Sequence, residues 1–467
     1  MRFLNTSNIK KTLYYLERNG VIKTLYAVTE RISGKEEIYS FQETGKELLE
    51  EQRKYQFTFP CKFSILVPAY ETKEEYLRAL IDSVLSQTYG NFELIIADAG
   101  KSGKTEQVVS TYSDKRIIYF RLKANGGISE NTNEALKRAC GDYIGLLDHD
   151  DLLTPDALFE MAKAIENKKK TGKEYGFLYS DEDKCDSGGM HFFEPHKKTG
   201  FNLDLLLSNN YMCHFMLMKA ELMKELSFRK EYDGAQDYDL FLRAVEKLVK
   251  EYGYRQTREK ICHIPKILYH WRCHEGSTAV NPRSKEYAYE AGKRAVRSFC
   301  NAMEWDVRVT ESEHLGFYKI ITDDIFEKCG KVAAVGGKVI NEKKRIKAGI
   351  YKRSGKIPFG GLRLYEGGPM HRASLKQTAY ALDLRCIKVN PEWIPVFEEV
   401  TGLQYTESGK AGLFWWKKYK KSDEEWKCLS LAFGERLAKS EYRLIFVPDY
   451  ICKTGKHGEL KWQRQQS

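Results

Sequence analysis

No run in this chain approaches the roughly 20 apolar residues that span a bilayer. The opening Met1-Arg-Phe-Leu4 leads into polar residues instead of the apolar stretch of a signal peptide. Neither a membrane-spanning synthase nor a secreted precursor is therefore expected. The 11 cysteines stand singly between Cys61 and Cys452, with no C-x-x-C pair and no zinc-ligand spacing. That excludes a zinc module and favours small reduced thiols over a disulfide scaffold. An Arg-rich tract and a basic-aromatic signature are both missing, so nucleic acid is set aside as a partner.

What the chain has in excess is basic charge. A formal net charge of +11 favours anionic partners, either phosphorylated substrates or acidic lipid. Its 467 residues exceed one ordinary core and predict two or three domains. Residues 1–60 carry Leu13, Leu16, Ile22, Leu25 and Val28 at helical spacing, with Lys10, Lys11, Arg18, Lys23 and Arg31 between them. Two readings are open: a basic helix lying on an anionic membrane face, or a helix packed on the main domain with solvated lysines. The packed helix is favoured.

From residue 63 the texture alternates. Short apolar runs at 63–67, 92–97, 117–120, 143–147 and 177–179 read as buried strands, and helical periodicity fills the gaps between them. This alternation predicts an α/β fold, a doubly wound and mostly parallel sheet with helices on both faces. Ligands bind such sheets at the carboxyl ends of the strands. Three of those ends carry Pro68-Ala-Tyr-Glu71, Asp98 and Asp148-His-Asp-Asp151. Residues 184–200 read as irregular.

Three carboxylates within four residues, at 148–151, repel one another unless something offsets them. A divalent cation with oxygen ligands, Mg2+ or Mn2+, would do so and would also hold two phosphates of a substrate. The alternative is a solvated loop in which Asp151 or Asp156 caps a helix. Asp237, in Gly234-Ala-Gln-Asp-Tyr-Asp239, fits either a general base or a helix N-cap. In His270-Trp-Arg-Cys-His274 and the following Ser277, the histidines suit a metal, and Arg272 or Ser277 suits phosphate.

Taken in order, the motifs resemble glycosyltransferase family 2 over about 240 residues, from Phe63 to Cys300. Ser64-Ile-Leu-Val-Pro-Ala-Tyr70 is similar to the family's opening strand, and Ser83-Val-Leu-Ser-Gln-Thr-Tyr89 to the end of its first helix. Gly126-Gly-Ile-Ser129 with Asn131 and Asn133, and Leu147-Asp-His-Asp-Asp-Leu-Leu-Thr-Pro-Asp156, resemble the metal motif and its approach. Tyr179-Ser-Asp-Glu-Asp-Lys184, Gly234–Leu240 and His263–Arg272 resemble a bacterial branch that makes surface polysaccharides.

The resemblance implies a GT-A fold, a nucleotide-sugar donor (a UDP-sugar first), Mn2+ or Mg2+, and inversion by single displacement. A glycan or lipid-linked glycan at the inner membrane face would be the acceptor. By position, Asp148 and Asp150 would hold metal and diphosphate, with His270 or His274 completing the shell. Pro68, Ala69, Tyr70 and Glu71 would border the nucleotide, and Asp98 would contact base or ribose. Gly127, Asn131, His149, Asp181 and Arg272 extend the donor-binding set. Asp237 would deprotonate the acceptor hydroxyl, with Asp239 as the alternative base. The family's second strand often ends in two aspartates, whereas this one reads Asp98-Ala-Gly100. That departure leaves a second reading, a non-catalytic glycan-binding or complex-forming relative. A nucleotidyltransferase would carry a Gly-rich phosphate loop where this chain has Pro68-Ala-Tyr-Glu-Thr72.

The expected organisation is an N-terminal helical region over 1–60, a catalytic domain over 61–300, a linker over 301–330 and an accessory domain over 331–467. Residues 331–455 resemble the back half of a second transferase domain, without the nucleotide and metal motifs of the front half. No independent catalysis is expected there.

Overall fold

An uninterrupted apolar run suits a strand covered on both faces, and the first such run lies in the interior of the sheet. In a computed structural model that describes residues 6–33, 39–274, 286–408 and 412–454, two helices come first, α1 (Thr6–Ser33) and α2 (Lys46–Lys54). Strand β1 (Phe63–Ala69) follows, buried along its length apart from Pro68. It pairs in parallel with β2 (Phe92–Asp98) on one side and β4 (Tyr143–Leu146) on the other, and β2 pairs in parallel with β3 (Ile117–Arg121). The connections run through α3 (Glu74–Leu85), α4 (Lys104–Val109) and α5 (Ile128–Leu136).

Beyond β4 the sheet becomes mixed. After β5 (Leu152–Leu153) and α6 (Ala157–Lys169) come β6 (Phe177–Cys185), β7 (Phe192–His196), α7 (Leu203–Leu206), β8 (Met216–Lys219) and α8 (Ala220–Leu226). The long α9 (Gln236–Lys260), β9 (Ile261–Arg272) and α10 (Glu286–Ala302) complete this part. Strand order is β3-β2-β1-β4-β8-β6-β9-β5, with β7 paired to β6. β8 runs antiparallel to β4 and to β6, while β6 and β9 are parallel. The expected sheet is thus found, parallel in its front half and mixed behind.

Strand β6 runs six residues past the apolar segment that predicts it. The extension, Ser180-Asp-Glu-Asp-Lys-Cys185, is almost wholly buried. It stays in the sheet because its carboxylates find partners there: Asp181 with His263, Glu182 with His196, and Asp183 with Tyr39. Buried polar groups with partners do not break a strand. Residues 192–196, expected to be irregular, form β7 on the flank of this extension.

The stretch expected as a linker, 301–330, is folded. It holds a hairpin, Arg308–Glu311 against Tyr318–Ile321, and a short helix, Ile325–Lys328. The C-terminal part then forms a five-stranded sheet. Its strand Val332–Ile340 pairs antiparallel with Ile346–Ala348 and Ile387–Val389, and parallel with Arg443–Lys453. That is the pairing pattern of β6, which has β7 and β8 as antiparallel neighbours and β9 as its parallel one.

This second sheet is not a separate body. Val332, Val335, Leu375 and Ile445 share one apolar cluster with Leu206, Tyr238, Phe241 and Val245. Around it, Asp204 accepts from Thr378 Oγ1 at 2.6 Å and lies 3.3 Å from Arg443 Nε. The N-terminal helix α1 also packs on the body: Arg18 bonds Glu311, and Glu30 accepts from the backbone of Gly367 and Gly368. The packed-helix reading of α1 therefore holds for this face.

Removing residues 331–467 strips cover from Leu206, Tyr238, Phe241 and Val245, and exposing buried apolar side chains of this size costs about 2 kcal/mol each. Four of them compare with the whole stability of a domain, about 5–15 kcal/mol. Residues 1–330 expressed alone are therefore expected to be insoluble or to lack a cooperative thermal transition. A soluble, sharply melting fragment would contradict the shared core.

Candidate active site

The parallel half of the sheet delivers three segments to one edge. Behind β1, Tyr70 is half exposed at 48%, and Glu71 turns the chain with φ 47°. Glu71 Oε1 accepts from the backbone of Lys101 and Ser102, at 2.6 and 3.1 Å. It thereby ties the loop after β1 to the loop after β2; the Ser102 hydroxyl first, then the Lys101 and Ser102 N–H groups, hold its carboxyl below the ordinary range. In the paired register Ala69 lies beside Asp98.

Asp98 has no exposed surface. Its oxygens accept from Gly100 N–H at 2.8 Å and Tyr119 OH at 3.0 Å. The expectation that Asp98 touches base or ribose directly is therefore corrected: it is spent on shaping the loop. Gly127, at φ 96°, opens α5, and a Cβ there would sit 2.4 Å from Asp233 Oδ2. Asn131 is buried and binds Gly126 N–H and Asn125, at 3.1 and 2.9 Å. Both build the loop ahead of α5.

The three carboxylates after β4 separate into two kinds. Asp151 turns inward with 1% exposure, bonded by Tyr269 OH and by Arg272 N–H at 2.7 Å. Burial, with Asp150 and Asp148 adding, pushes its pKa well above the usual range, so one of the three charges is suppressed. Asp148 and Asp150 stay toward the cleft. Asp150 Oδ2 lies 2.8 Å from His274 Nε2. The Asp148 side chain is half exposed at the mouth yet enclosed by protein, 4.0 Å from His214 Nε2. That enclosure raises its pKa, with His214 opposing and Asp150 adding. His149, between them, keeps its buried Nδ1 without a protein partner among the described residues.

Four expected site residues are not brought to this cleft. His270 points to the other face of β9, bonded to Asp183 and edge-on to Phe41. With 4% exposure it is no metal ligand here. Asp181 lies inside, between His263 Nε2 at 2.7 Å and Lys198 N–H at 2.8 Å. Asp239 is 1% exposed and gripped by Arg229 and by Arg243 Nε at 2.8 Å. Two guanidinium partners hold both its oxygens, which removes it as a base. Arg272 does not reach into the cleft for phosphate. Buried at 2%, it pins the acidic loop through Asp151 and the Asp150 carbonyl. Ser277 lies outside the described residues.

Asp237 does arrive. It stands in the first turn of α9, where the positive helix end favours a carboxylate, and Oδ2 accepts from Asn210 Nδ2 at 2.9 Å. It caps nothing: Ala235 holds the N-cap position. Close by are two side chains that the sequence motifs do not single out, Cys213 and His214, which with Asp237 offer ligand atoms all within 4.8 Å of one another. Burial holds the Cys213 thiol well above its ordinary pKa, so it is a protonated thiol and a poor ligand. His214 is a cation instead: against burial, the hydrogen bond and charge of Glu182, then Asp148, push it up to about 9. The signal available for them is Asn209-Asn-Tyr-Met-Cys-His214, which brings a thiol and an imidazole together just before an apolar strand.

Among the described residues the trio with ligand atoms within 4.8 Å of one another is Cys213, His214 and Asp237. Of the expected donors, Asp150 and His274 are in contact and Asp148 stands by His214, and carboxylates with an imidazole are the donor types that suit Mn2+ or Mg2+. A cavity of 920 Å³, lined by residues such as Phe120, Lys123, Glu134 and Lys224, opens at the β3 edge and holds none of these carboxylates.

Open α/β sheets bind their ligands outside the carboxyl ends of the strands, and that is where these acidic residues gather. The family model for glycosyl transferase family 2 matches residues 64–227. A putative colanic acid biosynthesis glycosyl transferase of Escherichia coli, WcaA, is 32% identical over 197 residues, 41% of this chain and 67% of that protein. The chain belongs to glycosyl transferase family 2, with a GT-A type sheet. The uncharacterized protein y4gI of Sinorhizobium fredii is 40% identical over 237 residues, 50% of this chain. The O-antigen biosynthesis protein RfbC of Myxococcus xanthus is 33% identical over 239 residues, also 50% of this chain. These matches span only 25% and 17% of y4gI and RfbC. Among solved structures, S. aureus TarS 1-349 in complex with UDP-GlcNAc aligns with 52% of this chain and 66% of its own. Its 20% identity and TM-score of 0.40 give that likeness no weight.

Breaking a buried ion pair by removing one partner costs about 3–5 kcal/mol. Asp239→Ala is therefore expected to lower the denaturation midpoint strongly, and Asp237→Ala to leave it nearly unchanged. Equal midpoints for the two variants would contradict the division between structural and cleft carboxylates.

Proposed function

We propose that the chain transfers a sugar from a nucleotide sugar, a UDP-sugar first, to a hydroxyl of a growing cell-surface polysaccharide, with inversion at the anomeric carbon. The single observation that carries this is the meeting of Asp148, Asp150 and Asp237 in one cleft at the strand ends of a family 2 sheet. The half-exposed Tyr70 offers a ring face to the nucleotide base, and Pro68, Ala69 and Glu71 shape that wall. Asp148, Asp150 and His274 would hold Mn2+ or Mg2+. When bound, the cation offsets the negative charge that develops on the departing diphosphate. Asp237, supported by Asn210 and the end of α9, takes the proton of the acceptor hydroxyl. Attack from the Asp237 side and departure from the Asp148 side give a single displacement, hence inversion.

A glycan carried on a lipid at the inner membrane face is the proposed acceptor. The relatives named for O-antigen and colanic acid biosynthesis support that choice. No described helix is long and apolar enough to cross a membrane, so contact with that face would be peripheral.

Replacing a general base typically costs about 10²–10⁴ in rate. Asp237→Asn should lose turnover by that order while binding donor as the wild type does. Asp150→Asn should lose turnover by about 10²–10³ and lose the response to added Mn2+. Nucleotide release from the preferred nucleotide sugar measures both. Near-normal release from either variant would remove that residue from its role.

A further inference from the structure

The donor and acceptor sides of the cleft meet at one imidazole. His214 closes the loop that enters β8, with 22% of its side chain exposed. Its ring stacks on Tyr269, centroids 4.7 Å apart and planes at 17°, and Tyr269 in turn bonds Asp151. Nε2 faces Asp148 at 4.0 Å, and a ring nitrogen comes within 4.8 Å of the Asp237 carboxylate. The imidazole therefore stands between the carboxylate assigned to the diphosphate and the one assigned to the acceptor hydroxyl. In a single displacement the transferred sugar occupies that interval, because it is joined to the diphosphate before the reaction and to the acceptor after it.

A buried charge pair anchors the backbone that carries the ring. Glu182 accepts from the His214 backbone N–H and lies 3.3 Å from Nδ1. Lys198, its side chain wholly buried, lies 3.4 Å from Glu182. It also donates to the carbonyls of Met212, at 3.3 Å, and His214. His196 Nδ1 meets the other Glu182 oxygen at 3.1 Å. Burying two charges in a sheet is seldom a gain in stability over an apolar pair. Here the pair's hydrogen bonds run mainly to residues 212–214, and with Nδ1 turned toward Glu182, Nε2 is the ring nitrogen on the Asp148 side. An outer carboxylate that orients a working imidazole is a general device for fixing both ring angle and exposed nitrogen.

We infer that His214 binds the transferred sugar, Nε2 hydrogen-bonding one of its hydroxyls, and that Glu182 and Lys198 are the positioning residues that hold it there. A hydroxyl both donates and accepts, so it pairs with Nε2 whether or not that nitrogen carries a proton. The inference rests on the transferase reading and names a residue that helps select the sugar.

The test separates sugar from nucleotide. Wild-type protein is screened by calorimetry against UDP-GlcNAc, UDP-glucose, UDP-galactose, GDP-mannose and dTDP-rhamnose, and against the matching diphosphates. With the pair that binds, His214→Ala should weaken the nucleotide sugar about tenfold, the order expected for one lost hydrogen bond. The free diphosphate should bind as before. His214→Gln, which keeps a hydrogen-bonding group, should recover part of the loss. Glu182→Gln should shift the nucleotide sugar in the same direction and spare the diphosphate, a split that general destabilisation would not produce. Should Glu182→Gln fail to fold with Lys198 left unpaired, the double variant Glu182→Gln/Lys198→Met replaces it. Equal weakening of both ligands, or no change in either, overturns the inference and leaves the transferase reading standing. A wild-type protein that is folded and binds none of the panel overturns both.

Discussion

Too many carboxylates at one end of one sheet is the constraint around which this molecule is arranged. Asp148, Asp150 and Asp151 follow β4, Glu182 lies in β6 and Asp237 opens α9, and all converge on a single cleft. Like charges this close cannot all ionise without compensation. The chain answers differently at each one. Asp151 is drawn inside against Tyr269 and Arg272, where its neutral form is favoured. Glu182 is held well below the usual carboxylate range by Lys198, then His196 and His214, against its burial. His274 and His214 stand before Asp150 and Asp148. What remains toward the cleft are the carboxylates of Asp148, Asp150 and Asp237, a setting for a cation and, on it, a diphosphate.

Strand β9 is the scaffold for most of this. Tyr269 holds Asp151 from the cleft-facing side, Arg272 holds the acidic loop through its backbone N–H and the Asp150 carbonyl, and His270 with its partner Asp183 packs away from the cleft. The parallel pair β6–β9 recurs in the C-terminal sheet as Val332–Ile340 beside Arg443–Lys453. The acidic equipment does not recur. Asp423, at the start of helix Asp423–Ala438, is bound by Arg385 and Lys347. The C-terminal sheet covers α7 and α9, so that the two sheets share one core.

Much of the front half was legible in the sequence, because apolar runs buried on both faces leave a plain signal and strand ends fall where polarity returns. Asp148 and Asp150 could be picked out on those grounds, whereas Asp237, which opens a helix and reads equally as a cap, was carried by the family resemblance. The misreadings have one physical origin: a charged side chain looks alike in sequence whether it faces a cleft or a buried partner. Asp239 lies two residues from Asp237, but the helical turn sends it to Arg229 and Arg243. His270 and Tyr269 are adjacent, and the strand's alternation puts them on opposite faces. His214 was missed because its position depends on Glu182 and Lys198, contributed from 16 or more residues away, and no local pattern records that.

Metal-dependent donor binding tests the central claim most directly. Calorimetry of the intact chain with a panel of nucleoside diphosphates, with and without Mn2+, should find one that binds, more tightly when Mn2+ is present. Folded protein that binds none of them under either condition would contradict the account of the cleft.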